Sequence, residues 1–104
     1  MSYVTSSERE SPIEQGRNEE ILYKLITTPW GGKPSNVLVA AYDATESFRD
    51  VGSAVLKGSS EIDGDVITLP ALKSLSMGHN YYVEIRFTSG GDVKETHVEV
   101  RCVR

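Results

Sequence analysis

Two histidines and one cysteine are the side chains in this sequence best suited to bind a transition metal. They are His79, His97 and Cys102. A structural zinc site normally takes closely spaced ligands, as in C-x-x-C, and these three residues lack that spacing. We expect His97 to lie on the surface beside a carboxylate, and Cys102 to be a small core residue rather than a nucleophile. The sequence therefore predicts no metal ion and no other cofactor.

Two acidic stretches resemble parts of calcium-binding loops. One is Asp63-Gly64-Asp65, and the other contains Asp43, Glu46 and Asp50. Calcium takes six or more oxygen ligands, and neither stretch supplies the full series. We interpret both as solvated turns.

The motifs of common catalytic sites are missing from the sequence. No serine stands in a G-x-S-x-G elbow, and no glycine-rich loop leads into a helix as a phosphate-binding site requires. The adjacent pair Glu19-Glu20 cannot share a proton, because neighbouring side chains of a strand point to opposite faces. We predict that the protein is not an enzyme and has no catalytic residues.

A loop around the only tryptophan is the first candidate for binding a partner. Pro29 to Pro34 combine prolines with paired glycines, which cannot continue a strand. Two roles for Trp30 are open: it folds back over an open end of the core, or it is an exposed anchor for a partner. In the second case the contact residues are Trp30, Gly31 and Gly32.

The N-terminal stretch is the second candidate. Residues 1–16 are rich in serine and glutamate and poor in apolar side chains. We predict that they form a flexible arm and that residues 17–104 form one domain. Tyr3 and Ile13 are candidate contacts, because such an arm orders by adding to a sheet, and Ile13 could attach its end to a sheet edge. The stretch has no apolar segment, so we expect no signal peptide.

Size and charge narrow the class of partner. A chain of 104 residues fits one domain with a core that needs no disulfide or metal. The formal net charge of −4 argues against binding to nucleic acid or to an anionic membrane surface. No apolar run approaches the ~20 residues that span a bilayer. The sequence predicts protein partners, no nucleic acid and no membrane.

A C-terminal β-hairpin is the clearest element. Apolar residues alternate with polar ones on both sides of Gly90-Gly91, which suits a two-residue turn. The predicted pairs on one face are Tyr81–Val100, Val83–Val98 and Ile85–Thr96, and those on the other face are Tyr82–Glu99, Glu84–His97 and Arg86–Glu95. A shift of one residue would place Val83 opposite Glu99, so the pattern selects this register.

Shorter apolar stretches predict the other strands. They cover residues 21–28, 37–42, a less regular segment within 48–56, and 66–69. A short helix over residues 45–51 is an alternative, and one helical turn within residues 71–78 would let Leu72 and Leu75 close the end of the core. Six to seven strands at this spacing predict an all-β protein, an antiparallel β-sandwich.

The segment before the hairpin resembles a known motif. Leu75, Gly78 and Tyr81 stand in the pattern Leu-x-x-Gly-x-x-Tyr, which is similar to the start of strand F in fibronectin type III and related immunoglobulin-like domains. The resemblance implies an immunoglobulin-like sandwich in which the Tyr81 hydroxyl bonds to backbone a few residues upstream. It also implies that Leu75 plugs the end of the core and that Gly78 makes the turn. Met77 stands where that family usually has proline.

The last third of the chain has a second resemblance. A Gly-x-x-Tyr strand at residues 78–83, a Thr-Ser-Gly-Gly turn within residues 86–91 and the ending Val-x-Val-Arg at residues 98–101 are similar to small phage and prophage structural proteins. Among these are immunoglobulin-like adaptors that link tail to fibre. The resemblance implies a virion component, found in the particle or in the host cytoplasm during assembly.

Two other functions remain open at this point. The chain could be a fibronectin-type binding module of a cell-surface or secreted assembly, which would require an export signal. It could also be a sandwich that binds a small ligand such as calcium or a sugar.

Overall fold

Strands make up most of the chain. The computed structural model describes residues 2–4 and 13–104. Its strands are β1 Ser2–Val4, β2 Ile13–Gln15, β3 Tyr23–Ile26, β4 Ser35–Asp43, β5 Arg49–Asp50, β6 Leu56–Lys57, β7 Glu61–Asp63, β8 Val66–Thr68, β9 Ala71–Leu72, β10 Asn80–Ser89 and β11 Asp92–Cys102. Its helical segments are short: two 3-10 turns, Thr28–Trp30 and Ala44–Glu46, and one α-helical turn, α1 Gly52–Val55. The predicted all-β class is confirmed, and none of the described helices has the length and apolar character to cross a membrane.

The hairpin of β10 and β11 has the predicted register. Val83 lies opposite Val98, Glu84 opposite His97, and each of the other predicted pairs is also present. Gly90 and Gly91 form the two-residue turn with φ of 60° and 84°. Such a turn requires positive φ at both positions, which glycine adopts without steric cost.

The described strands form two main sheets. The first has the order β2-β11-β10-β4-β5 and is antiparallel except where β2 runs parallel to β11. The second has the order β1-β3-β8-β7 and is antiparallel except between β1 and β3. A small ribbon of β6 and β9 is separate from both. We call the first the five-stranded sheet and the second the four-stranded sheet.

One hydrophobic core joins these two sheets. Burial alternates strictly along β10 from Tyr81 to Ser89, the period expected when one face of a strand is covered. The fully buried apolar residues of the five-stranded sheet, such as Phe87 and Ile85, belong to the same cluster as Leu25 and Ile67 of the four-stranded sheet. The opposite face of the five-stranded sheet is left without a covering layer within the described residues.

The N-terminal region departs from the predicted arm. Ile13–Gln15 pairs with β11, and the Gln15 side chain is completely buried. Its Nε2 donates to the Leu72 carbonyl at 2.7 Å, and its Oε1 accepts from the Tyr23 hydroxyl at 2.7 Å. Ile13–Gln15 is therefore part of the folded structure, which the polar composition of this stretch did not indicate. Ser2–Val4 also joins a sheet, and residue 1 and residues 5–12 of the predicted arm lie outside the described residues.

Three local predictions are corrected. The first strand spans Tyr23–Ile26 rather than 21–28, since Ile21 makes only a single bridge to Leu72. The segment predicted as an irregular strand within 48–56 contains the short strand Arg49–Asp50, but the α-helical turn Gly52–Val55 follows it. The helical turn proposed within 71–78 is absent: Leu72 lies in a strand, although it is buried in the core as expected.

Candidate functional site

The loop around Trp30 packs against its own domain. The Trp30 ring meets the Phe87 ring edge to face, with centroids 6.0 Å apart, and Trp30 is only partly exposed. The Ser89 hydroxyl donates to the Gly32 carbonyl at 2.5 Å. Gly32 is buried, and a Cβ there would overlap the Asp65 carboxylate. Of the two roles open for Trp30, these contacts favour covering the end of the core, and the role of Trp30, Gly31 and Gly32 in partner binding stays a prediction.

Asp65 fixes this loop. Its carboxylate accepts from the Lys33 N–H and from the Thr28 hydroxyl, both at 2.9 Å. These two hydrogen bonds lower the pKa of the Asp65 carboxyl, because they favour its charged form. The stretch Asp63-Gly64-Asp65 thus supplies a hydrogen-bond acceptor to a neighbouring loop.

Tyr81 forms a corner before β10. Its side chain is buried and its hydroxyl accepts from the Ser76 N–H at 2.7 Å. Leu75 is buried beside it in the core cluster. Gly78 has a φ of 85° and donates its N–H to the Cys102 carbonyl at 2.8 Å, which ties the turn to the end of β11.

Ile13 and Tyr3 lie on sheet strands. The Ile13 side chain is partly buried against the core, and Tyr3 pairs through its backbone with Lys24. Contact of either residue with a partner stays a prediction.

The histidines and the cysteine do not converge. His79 Nδ1 lies 2.8 Å from Asp43 Oδ2, while the other oxygen of Asp43 accepts from the N–H groups of Thr45 and Glu46. Cys102 is buried, and His97 lies on the opposite face of the sheet. In the part of the chain that the structure describes, no three His, Cys, Asp or Glu side chains are placed to hold a metal ion.

A group of aromatic side chains lies on the outer face of the five-stranded sheet. The rings of Tyr82 and His97 are stacked, with centroids 4.4 Å apart and planes at 15°. Tyr42 lies 6.5 Å from the Tyr82 ring, and Phe48 meets it edge to face at 5.8 Å. We call Tyr42, Phe48, Tyr82 and His97 the aromatic patch. The distances from Tyr82 to Tyr42 and to Phe48 fall in the range of about 4.5–7 Å where aromatic rings attract one another.

Phe48 is held in place by unusual backbone. Ser47 and Phe48 follow the 3-10 turn Ala44–Glu46 with φ of 58° and 55°. A side chain that is not glycine costs about 1–2 kcal/mol in this left-handed region. The Phe48 side chain nevertheless remains 57% exposed. The strained turn thus holds the large apolar ring of Phe48 in solvent, next to the Tyr82 ring.

Carboxylates surround the aromatic patch. Glu84 and Glu99 flank Tyr82, and Glu95 lies further along β11. Partial burial raises the pKa of Tyr82, and these three negative charges raise it further. A tyrosine hydroxyl is protonated at neutral pH in any case, and it can donate a hydrogen bond.

A shallow cavity of about 240 Å³ adjoins the patch. It is lined by Phe48, Tyr82, Asn80, Glu99 and Arg101 together with neighbouring backbone. Pockets for small-molecule ligands are usually about 300–1,000 Å³. This cavity is smaller, whereas a second and more open depression of about 360 Å³ lies on the patch itself, lined by Tyr42, Phe48, Tyr82 and Glu84. Cavity volume alone therefore does not choose between a small ligand and a side chain of another protein.

The arrangement has the features of a contact surface. Rigid aromatic rings supply contact area at little cost in conformational entropy, and the surrounding charges supply orientation. Sequence reasoning assigned Tyr82, Glu84 and His97 to one face but did not identify that face as a site. The missing information was the position of Phe48, which was interpreted as part of a strand.

The chain was compared with known proteins. No protein-family model, no curated protein and no solved structure matches it.

Proposed function

We propose that the chain is a non-enzymatic protein-interaction module that binds its partner through the aromatic patch. The observation that carries this proposal is Phe48, an exposed ring held over Tyr82 by two consecutive residues with positive φ. Strain of this kind persists where the surrounding structure holds it, and it clusters at functional sites. Exposed aromatic residues with a polar rim are typical of the centre of a protein interface.

We further propose that the domain is an immunoglobulin-like sandwich. The order β3-β8-β7 corresponds to strands B-E-D of that fold, and the order β11-β10-β4 corresponds to G-F-C. The hydrogen bond from the Ser76 N–H to the Tyr81 hydroxyl supports this proposal, since a tyrosine corner occurs at the same place in the fold. The parallel pairing of β1 with β3 is a local difference from a purely antiparallel sheet.

The biological setting we propose is a phage or prophage particle, where the module would act as an adaptor between virion proteins. The resemblance of residues 78–101 to small phage structural proteins supports this setting. Two observations test this setting. We expect capsid, portal or tail genes beside the gene for this chain, and we expect the chain itself in purified particles. A gene set for export and cell-surface assembly would favour a fibronectin-type surface module instead.

Site-specific cross-linking tests the binding surface. A photoreactive residue replaces Phe48 in one variant and Ile62 in a matched control, since Ile62 is an exposed apolar residue on β7 of the other sheet. We expect a discrete adduct with one protein from position 48 and none from position 62. The adduct should disappear when Tyr82→Ala is added. Equal labelling from both positions, or none from position 48, would contradict the proposed surface.

A further inference from the structure

Strand β4 leaves part of its outer edge open. β4 runs from Ser35 to Asp43, but among the described residues its outer neighbour β5 pairs only with Tyr42 and Asp43. Beyond these pairs, the Ala41 carbonyl accepts from the Val51 N–H at 3.0 Å. The earlier part of β4 has no neighbour on that side within the described residues.

The backbone of Val39 points to this open edge. In an antiparallel strand, residues two apart direct their N–H and C=O groups to the same side. Val39 therefore faces the same way as Ala41. Burial agrees: Ala41 is completely buried where Val51 covers the edge, whereas Val39, which also faces the core, is only partly buried.

Among the described residues, the part of this edge from Val37 to Tyr42 carries little protection against pairing, because the bulge in β4 lies before it, at Asn36, where φ is 52°. Soluble proteins block an open strand edge with charged residues, proline or a covering segment. Residues 37–42 are all uncharged, and Leu38 is 64% exposed. An uncharged, apolar edge is a template for a further strand.

A groove crosses the outer face from this edge to a carboxylate. Ala40 lies between the larger side chains of Leu38 and Tyr42, and the resulting cavity of about 180 Å³ extends to Glu84 and to its neighbour Arg86. Glu84 and Ala40 are direct neighbours across β10 and β4. The small alanine thus opens a path from the free edge to a negative charge.

The charge at the end of this groove is not fully balanced by its neighbours. Arg86 lies 3.9 Å from Glu84 and 3.5 Å from Glu95, so two carboxylates share one guanidinium group. The Arg86 side chain is half exposed, and exposed ion pairs hold their partners weakly. A second cation beside Glu84 would balance the two carboxylates, Glu84 and Glu95, that now share Arg86.

We propose that the partner of this module presents an extended segment that pairs with Val39 at the open edge of β4 and places an arginine or lysine side chain over Ala40, against Glu84. Strand spacing of about 4.8 Å puts Glu84 roughly two strand widths from the added backbone. A long cationic side chain and the Glu84 carboxylate span that distance together. Main-chain hydrogen bonds supply affinity in this mode of recognition, and the side-chain groove supplies specificity. The inference rests on the proposed function and specifies the chemistry of its partner.

Peptide titrations on the full chain test this inference. The probes are heptapeptides of alternating threonine and valine with arginine, lysine, glutamine or glutamate at the centre. The reporter is the amide spectrum of the isotopically labelled protein. We expect the arginine and lysine peptides to shift the Val39 amide and slow its hydrogen exchange. The glutamine peptide should bind roughly threefold more weakly, and the glutamate peptide more weakly still.

Two variants sharpen the result. Glu84→Gln should remove the preference for the arginine peptide over the glutamine peptide. The variant should keep the amide spectrum of a folded protein. Ala40→Leu should fill the groove and weaken the arginine peptide roughly tenfold. Thr88→Leu, on the same face but away from the groove, is the matched control and should bind as the unmodified chain does.

Several results would overturn the inference. They are equal binding of all four peptides, no binding by any of them, or an unchanged Val39 amide. Hydrogen exchange at Val39 could also slow without peptide as the protein concentration rises. That result would identify a second copy of the chain, rather than a partner segment, as the occupant of the β4 edge. If cross-linking from position 48 succeeds while the peptides fail, the proposed function stands and this inference alone is wrong.

Discussion

The imidazole of His97 lies flat against the phenol ring of Tyr82, 4.4 Å away, although the two residues come from different strands. The register of the hairpin makes this contact possible, because it places Glu84 opposite His97 and Tyr82 opposite Glu99 on one face. The stacked pair is the centre of the aromatic patch. The Gly90-Gly91 turn fixes this register, and the register places both rings on the outer face of the five-stranded sheet.

Removing one hydroxyl tests the corner before β10. Tyr81→Phe deletes the acceptor of the Ser76 N–H and should lower the free energy of unfolding by about 1–2 kcal/mol. Urea unfolding measures the change. Tyr82→Phe is the control, because this residue lies on the outer face, and its effect should stay within about 0.5 kcal/mol. A loss of less than about 0.5 kcal/mol for Tyr81→Phe would mean that the corner hydrogen bond contributes nothing.

Alkaline pH tests the buried pair of Tyr23 and Gln15. Burial raises the pKa of Tyr23 to about 12, and Glu19 adds to the effect. The unfolded chain loses this proton near pH 10, whereas the folded chain keeps it up to about pH 12. Stability is therefore full below pH 10 and falls as the pH rises from 10 to 12.

The Tyr23→Phe variant isolates this contribution. It should be less stable at neutral pH, because the Gln15 Oε1 loses its donor. Between pH 10 and 12 the unmodified chain should lose about 1–2 kcal/mol more than the variant. Urea unfolding at several pH values gives both curves. Parallel curves would show that Tyr23 titrates as it does in the unfolded chain.

Thr96 tests whether an unpaired polar group is tolerated in the core. Thr96 is buried opposite Ile85, and its hydroxyl has no hydrogen-bond partner within the described residues. Thr96→Val replaces that hydroxyl with a methyl group of similar size, and we expect a gain of about 1 kcal/mol. Thermal unfolding measures it. A loss of stability would imply that the hydroxyl has a partner after all.

Ser47 tests the strain under the aromatic patch. Its φ of 58° lies in the region that favours glycine. Ser47→Gly should raise the free energy of unfolding by about 0.5–1 kcal/mol, since the relief of strain exceeds the added entropy of the unfolded chain. Ser53→Gly in α1, where φ is not positive, should be destabilising. Destabilisation by both changes would show that the turn at Ser47 carries no strain.

Alternating patterns in the sequence determine strand register, whereas contacts between distant residues leave no such pattern. The hairpin register could be predicted because a shift of one residue would move Val83 from the core to the surface. The burial of Gln15 could not be predicted, because the hydrogen-bond partners of its side chain, Leu72 and Tyr23, come from other strands. The aromatic patch was missed for a similar reason: Phe48 reaches Tyr82 only through a turn with positive φ, and periodicity does not detect that geometry.

Carboxylate labelling of the free chain and of its native assembly tests the central claim most directly. In the free chain a carbodiimide probe should modify Glu84, Glu95 and Glu99 on the outer face and Glu61 and Asp63 on β7. In the assembly we predict that the first three become protected while Glu61 and Asp63 remain reactive. Protection of Glu61 and Asp63 with continued labelling of the first three would contradict the account, because the partner would then bind the opposite sheet.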